Sequence, residues 1–221
     1  MLTLHHLNNS RSHRILWLLE ELGVEYQIKT YQRDSKTNLA PSTLKLIHPL
    51  GKAPVITDGD VTMAESGAII EYLISQYADD SWKPAPGSEA QRQYLYWLHF
   101  AEGSMMPPLV AKLVLGTAKG KAKPFFVKAI ASKFVDAIMS HYYGPIIDSA
   151  LSFVDEYLAN HEWFAGEQIS GADIQMSFPL EAALARVETA SCRHIRAWLD
   201  KVHQRPAYQQ ALYKGGQYDY A

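Results

Sequence analysis

Every strand-like segment of this 221-residue chain lies in its first 63 residues, and that asymmetry limits the fold more than any other feature. Residues 2–7 form a short apolar strand candidate, followed by polar punctuation from Asn8 to Ser12. From His13 the pattern Ile15, Leu18, Leu19, Leu22 gives one apolar helix face, stopped by Gly23. Tyr26-Ile28-Thr30 alternates as a strand. Pro54 introduces another, Val55-Ile56-Thr57, and Asp58-Gly59 is a two-residue hairpin signal before Val61-Thr62-Met63. A helix is predicted from about Glu65 to Tyr77.

The order β-α-β followed by β-β-α describes a small α/β domain of thioredoxin-like topology, residues 1–78. Residues 79–87, with Asp79-Asp80-Ser81 and Lys83-Pro84-Ala85-Pro86-Gly87, break the composition and read as a linker. Residues 88–221 carry no convincing strand, so the second domain is predicted to be a helical bundle. A long helix runs from Ser88 to about Leu115, where Pro107-Pro108 should bend or break it. Another spans roughly Pro124 to Asn160 with an interruption near Gly144-Pro145. Ala118-Lys119-Gly120-Lys121-Ala122-Lys123 between them reads as a solvated basic connection. Ser170 and Asp173 form a capping box, with Ile169 and Ile174 as its hydrophobic staple, so both polar residues belong to folding and not to catalysis. The last predicted helix, about Cys192 to Gln204, stops before Pro206.

A formal net charge of −2 with interspersed signs leaves no electrostatic footprint for nucleic acid or an anionic membrane. The single cysteine, Cys192, excludes an internal disulfide framework, and no Cys/His grouping suits zinc. A reducing, cytoplasmic setting is the default expectation. Ile15–Leu19 runs at once into Glu20-Glu21, too short for a signal segment, and no apolar run approaches a membrane span. His5, His6 and His13 have no acidic partner spaced for metal ligation and read as structural or surface residues.

Two segments point to a ligand. A loop ending at Ala53-Pro54 can leave the backbone of residue 53 free to pair with an extended peptide, because proline donates no hydrogen bond. A helix opening at Glu65-Ser66 would aim unsatisfied N–H groups at a carboxylate, while Glu65 holds an ammonium. A γ-glutamyl peptide carries both charges at one end. Either segment alone is equally an ordinary buried proline turn or helix start.

Taken together, a thioredoxin-like half with His48-Pro49-Leu50-Gly51-Lys52-Ala53-Pro54 and Glu65-Ser66-Gly67-Ala68-Ile69-Ile70-Glu71-Tyr72-Leu73, a Pro-rich linker and a helical second half resembles the cytosolic glutathione S-transferase superfamily. The resemblance covers essentially the whole chain. It implies that Ala53, before a cis Pro54, pairs with the cysteinyl backbone of glutathione, that Glu65 and Ser66 bind its γ-glutamyl end, and that Lys52 lies toward its glycyl carboxylate. Several classes use a histidine near that carboxylate, where this chain has Asn38.

The same resemblance, to serine-type theta- and phi-like members of bacteria or fungi, puts the sulfur chemistry in the loop after the first strand. There a catalytic serine stands four residues before an arginine, as Ser10 does before Arg14. Ser12 and Asn9 are the neighbours that a shift of one or two residues would substitute. A free thiol with a pKa of about 8.5 must gain roughly 2.7 kcal/mol of preference for the anion to fall by about two units. One hydrogen bond to the charged sulfur supplies about 1.5 to 3 kcal/mol, and the adjoining helix N-terminus about 0.3 to 1 kcal/mol. Neither a strong base nor a cofactor or metal is needed.

The resemblance further implies a homodimer, with Glu102 reaching toward the partner's glutathione. It places a small apolar electrophile or hydroperoxide against Tyr94–Met106, where Met and aromatic side chains make an adaptable wall. Two alternatives stay open: a non-enzymatic interaction or stress protein on the same fold, and glutathione-dependent disulfide reduction. The segment Lys214–Ala221 either folds over the site or is disordered.

Overall fold

The first part of the chain follows the order β1 (Thr3–Leu7), α1 (Ser12–Leu22), β2 (Gln27–Tyr31), β3 (Val55–Asp58), β4 (Val61–Ala64) and α2 (Ser66–Tyr77). The computed structural model describes residues 1–186 and 192–221. β1 pairs in parallel with β2, Thr3 opposite Gln27 and Leu7 opposite Tyr31. It pairs antiparallel with β3, Leu4 opposite Ile56, and β4 closes the edge against β3. The result is a mixed four-stranded sheet of order β2-β1-β3-β4, the thioredoxin-like topology expected from the sequence.

Because β1 is central, both of its faces are covered, and Leu4, His5, His6 and Leu7 are all buried. The two histidines are tolerated there because each ring is hydrogen-bonded. His5 Nδ1 lies 3.0 Å from the Tyr31 hydroxyl, and His6 Nε2 lies 3.1 Å from the Gly215 carbonyl. The β3–β4 hairpin turns one residue later than the dipeptide signal suggested. Asp58 pairs with Val61, so Gly59 and Asp60 make the turn, and Gly59 supplies the positive φ of 55°.

The helical part comprises α3 (Glu89–Phe100), α4 (Met106–Lys121), α5 (Phe125–Ile138), α6 (Gly144–Leu158), α7 (Gly171–Leu184), α8 (Arg193–His203) and α9 (Pro206–Gly215). Pro107-Pro108 does not break the first long helix. A π-turn over Ala101–Met105, in which the Met106 N–H donates to the Ala101 carbonyl, widens the helix just before the prolines. A second π-turn, Met139–Tyr143, stands in the same relation to Gly144-Pro145. Proline removes a donor and crowds the carbonyl four residues back, and a wider turn relieves both.

Two expectations shift. Residues 118–121 extend α4 instead of forming a loop, and Lys119 pairs with Asp136 at 2.6 Å. Pro206 does not end the helical part but begins α9 at its first position, where a missing N–H costs nothing.

α1 lies between the sheet on one side and α7 and α9 on the other. It is therefore buried from Ser12 to Leu19 and not along a single stripe. One apolar core runs without a break from Leu4, Ile15 and Ile70 to Trp97, Phe164 and Ile174, so the two domains share their interior. The tightest contact is at Gly171, where a Cβ would stand 2.6 Å from the Tyr94 hydroxyl and 2.7 Å from Ile70.

The capping box of α7 is formed as the sequence implied. Asp173 is fully buried and accepts from the Ser170 N–H and hydroxyl, each at 2.9 Å. Its other oxygen accepts from the Phe164 N–H at 2.9 Å, so the same carboxylate also fixes the loop ahead of the helix. Burial pushes the Asp173 carboxyl up to about 6, against those hydrogen bonds.

His13, on α1, stacks on Tyr218 with ring centroids 4.0 Å apart and is buried. Burial, then the neighbouring His6 and His203, push its pKa down to about 3.

Asp173→Ala should lower the unfolding free energy by about 3 kcal/mol in urea titrations, since it orphans two buried N–H groups. The His13 ring stays neutral in the fold well below the pH at which the unfolded chain takes up its proton, near 6.5. The unfolded state therefore binds more protons between about pH 6.5 and 3, and stability falls as pH drops through that window. His13→Phe should remove up to about 1.4 kcal/mol per pH unit of that dependence. Urea midpoints of both proteins, differenced across pH, isolate it from the opposite trend of Asp173.

Candidate active site

Ala53 precedes a cis peptide bond to Pro54, which is buried at the start of β3. Ala53 packs beside Leu7, Tyr31 and Leu44, leaving Lys52 exposed at the rim. Across the cleft, Glu65 links β4 to α2 with a φ of 69°, a conformation that costs a non-glycine residue on the order of 1 kcal/mol. That turn presents the exposed Glu65 carboxylate beside Ser66, the first residue of α2.

Ser66 is held from below. Arg14, fully buried on α1, donates from Nη2 to the Ser66 hydroxyl and to Glu102 Oε1 at 2.5 Å, and from Nη1 to the Gln175 carbonyl at 2.6 Å. That carbonyl is available because Pro179, four residues on in α7, has no N–H to occupy it. Arg11 joins the cluster from the start of α1, its Nε donating to both Glu102 oxygens at 2.9 and 3.0 Å. Burial pushes the Glu102 carboxyl up, but Arg14 and Arg11 outweigh it and hold it below the usual carboxylate range.

Lys52, Ala53, Pro54, Glu65 and Ser66 thus line one cavity of about 350 Å³, together with Arg11 and Glu102. Two cations and two carboxylates on its wall suit a zwitterionic guest. Glu102, expected to reach toward a partner subunit, is engaged within its own chain. Among the described residues no group of His, Cys, Asp and Glu could hold a metal ion.

The three first-loop candidates diverge. Ser10 and Ser12 are buried. The Ser10 hydroxyl donates to the Leu7 carbonyl at 2.8 Å and lies 2.8 Å from Ser12 Oγ. Ser12 Oγ accepts from the Leu7 N–H at 3.1 Å and sits 3.0 Å from His6 Nδ1. Each hydroxyl has one proton, and these contacts occupy it.

Asn9, with a φ of 48°, faces a neighbouring cavity of about 390 Å³ that shares Arg11 and Val110 with the first. Its amide is clasped by the C-terminal segment: Nδ2 donates to Asp219 Oδ2 at 2.7 Å, and Oδ1 accepts from the Asp219 N–H at 2.9 Å. The tail therefore folds over the site.

The apolar wall of this second cavity is Met106, Leu109, Val110 and Leu113 of α4 with Phe178 of α7. It begins where the expected stretch Tyr94–Met106 ends, because Tyr94 and Trp97 turn into the core. Arg11 and Pro179 were not singled out in the sequence. Arg11 and Arg14, three residues apart on one helix face, are the pattern that could have marked a cationic pair awaiting an acid.

Known proteins resemble this chain over most of its length. Residues 1–75 match the model of the glutathione S-transferase N-terminal domain, and residues 123–206 that of the C-terminal domain. Glutathione S-transferase 3 of Schizosaccharomyces pombe is 41% identical, over 97% of this chain and 88% of its own length. Glutathione S-transferase 1 of Saccharomyces cerevisiae is 33% identical, over 94% of this chain and 92% of its own. A crystal structure of a glutathione S-transferase from Actinobacillus pleuropneumoniae superposes with a TM-score of 0.80 at 36% identity, covering 97% of this chain and 93% of that one. With both halves matched and relatives aligned over nearly its whole length, the chain belongs to the glutathione S-transferase superfamily.

Proposed function

We propose that this protein is a glutathione transferase that activates the glutathione thiol for attack on small apolar electrophiles or hydroperoxides. The observation that carries the reading is the convergence of Lys52, Ala53, Pro54, Glu65 and Ser66 on one cavity beside the loop after β1. In this reading the backbone of Ala53 pairs with the cysteinyl unit, Glu65 holds the γ-glutamyl ammonium, Ser66 its carboxylate, and Lys52 the glycyl end. Glutathione is the co-substrate, and no cofactor is required. A homodimer in the cytoplasm is the matching expectation. Among the described residues no helix is long and apolar enough to cross a membrane.

Of Ser10, Ser12 and Asn9, the geometry favours Asn9 as the donor to the thiolate. Its amide borders open space and keeps a second Nδ2 hydrogen beyond the one given to Asp219. The Arg11 guanidinium, shared by both cavities, adds positive charge on the same side. An amide N–H to a charged sulfur supplies about 1.5 to 3 kcal/mol, much of what a two-unit drop in thiol pKa requires. Cys192 is buried at the start of α8, so the reading uses no enzyme thiol.

Steady-state turnover of glutathione with 1-chloro-2,4-dinitrobenzene should fall about tenfold to a hundredfold in Asn9→Ala, with a raised pKa of the bound thiol by ultraviolet titration. Ser10→Ala should stay within a few-fold of the parent. A larger loss in Ser10→Ala than in Asn9→Ala would assign the thiolate to the serine. Glu65→Gln should raise KM for glutathione about threefold to tenfold with little change in kcat. Calorimetry showing no glutathione binding by the folded protein would favour the non-enzymatic alternative.

A further inference from the structure

The cavity next to the glutathione cleft has both apolar and cationic lining. Met106, Leu109 and Phe178 line a space of about 390 Å³ together with Arg11, Arg33 and Arg186, and the Arg11 guanidinium lies over the Phe178 ring at 5.5 Å. A site for purely apolar electrophiles needs no such arginines, and desolvating them against a neutral guest would oppose binding.

Their existing partners leave charge to spare. Arg33, two residues beyond β2, donates to three backbone carbonyls: Asn8 at 3.2 Å, Asn9 at 3.2 Å and Asn38 at 3.0 Å. Those acceptors are neutral and use three of its five N–H groups. Arg186 donates to the Tyr220 hydroxyl at 2.6 Å and lies over the same ring at 4.7 Å. Among the described residues neither arginine has a carboxylate within ion-pair distance. Arg11 shares Glu102 with Arg14.

The acid on this wall, Asp219, is occupied by amides: Asn9 on Oδ2 and Gln217 at 2.9 Å on Oδ1. The balance over the lining is positive, and apolar walls strengthen the field such charges project into the cavity.

We propose that this cavity takes second substrates carrying a carboxylate or similar anionic group on an apolar body, the anion held between Arg33 and Arg186 and the body against α4 and Phe178. The proposal rests on the transferase reading above and names the substrate class for the same site. With an aryl chloride as electrophile, the glutathione sulfur forms a bond to the ring carbon. Chloride leaves with the bonding pair, and the thiol proton passes to solvent.

Two measurements on the full-length protein separate this proposal from the reading beneath it. The first is calorimetric titration of 3,5-dinitrobenzoate and its methyl ester at saturating glutathione; neither compound has a leaving group, so binding is read whether or not turnover occurs. The acid should bind at least tenfold more tightly than the ester. Arg186→Gln and Arg33→Gln should each cut that preference about tenfold, and Asp219→Asn should raise it about threefold.

Equal binding of acid and ester overturns the proposal. So does a preference that survives both arginine substitutions, or one that disappears when glutathione is saturating. The second measurement is turnover of 4-chloro-3,5-dinitrobenzoate and of its methyl ester. Its absence refutes the transferase reading while the binding result stands by itself.

Discussion

The fold and the site both hang on Arg14. A guanidinium taken wholly out of water carries a desolvation cost of several kcal/mol, which is offset only by close and numerous acceptors. Here those acceptors come from separate places: the Ser66 hydroxyl at the start of α2, Glu102 in the π-turn between α3 and α4, and the Gln175 carbonyl in α7. Each is available for a local reason. Ser66 opens a helix, Glu102 is displaced by the wider turn before Pro107, and Gln175 is released by Pro179. Three features that weaken regular helix at their own positions become partners for one buried cation.

That arrangement also explains why the cleft is charged yet ordered. Glu102 is a ligand of Arg14 and Arg11 before it is a wall of the cavity. The residues that face a guest are therefore positioned by bonds made behind them. Pre-set polar groups reduce what must be ordered when a ligand arrives.

Much of this was legible in the residues. The strand order, the proline entry to β3, the Glu65-Ser66 helix start and the Ser170–Asp173 box all rest on local chemistry, which a sequence displays directly. What stayed hidden depends on contacts distant in the chain. The full burial of α1 comes from α7 and α9 packing on its far side, which no periodicity within residues 12–22 can announce. Pro206 suits a helix stop and a first helical residue equally well, and only the packing of residues 207–215 decides between them. Ser10 and Ser12 are a different case: the Leu7 carbonyl that engages them is only three and five residues back, and it is the conformation of the loop, not a distant contact, that brings it to them. The availability of Asn9 instead is decided by a residue 210 positions away.

The clasp between Asn9 and Asp219 makes the second cavity a product of sequence-distant ends. Loop-closure entropy sets such contacts among the most expensive to form early, so this wall belongs to the final stages of folding. The run from Lys52 to Ser66 on the peptide-binding cleft closes over only about 14 residues, whereas its neighbour needs Asn9 and Asp219 to meet across 210.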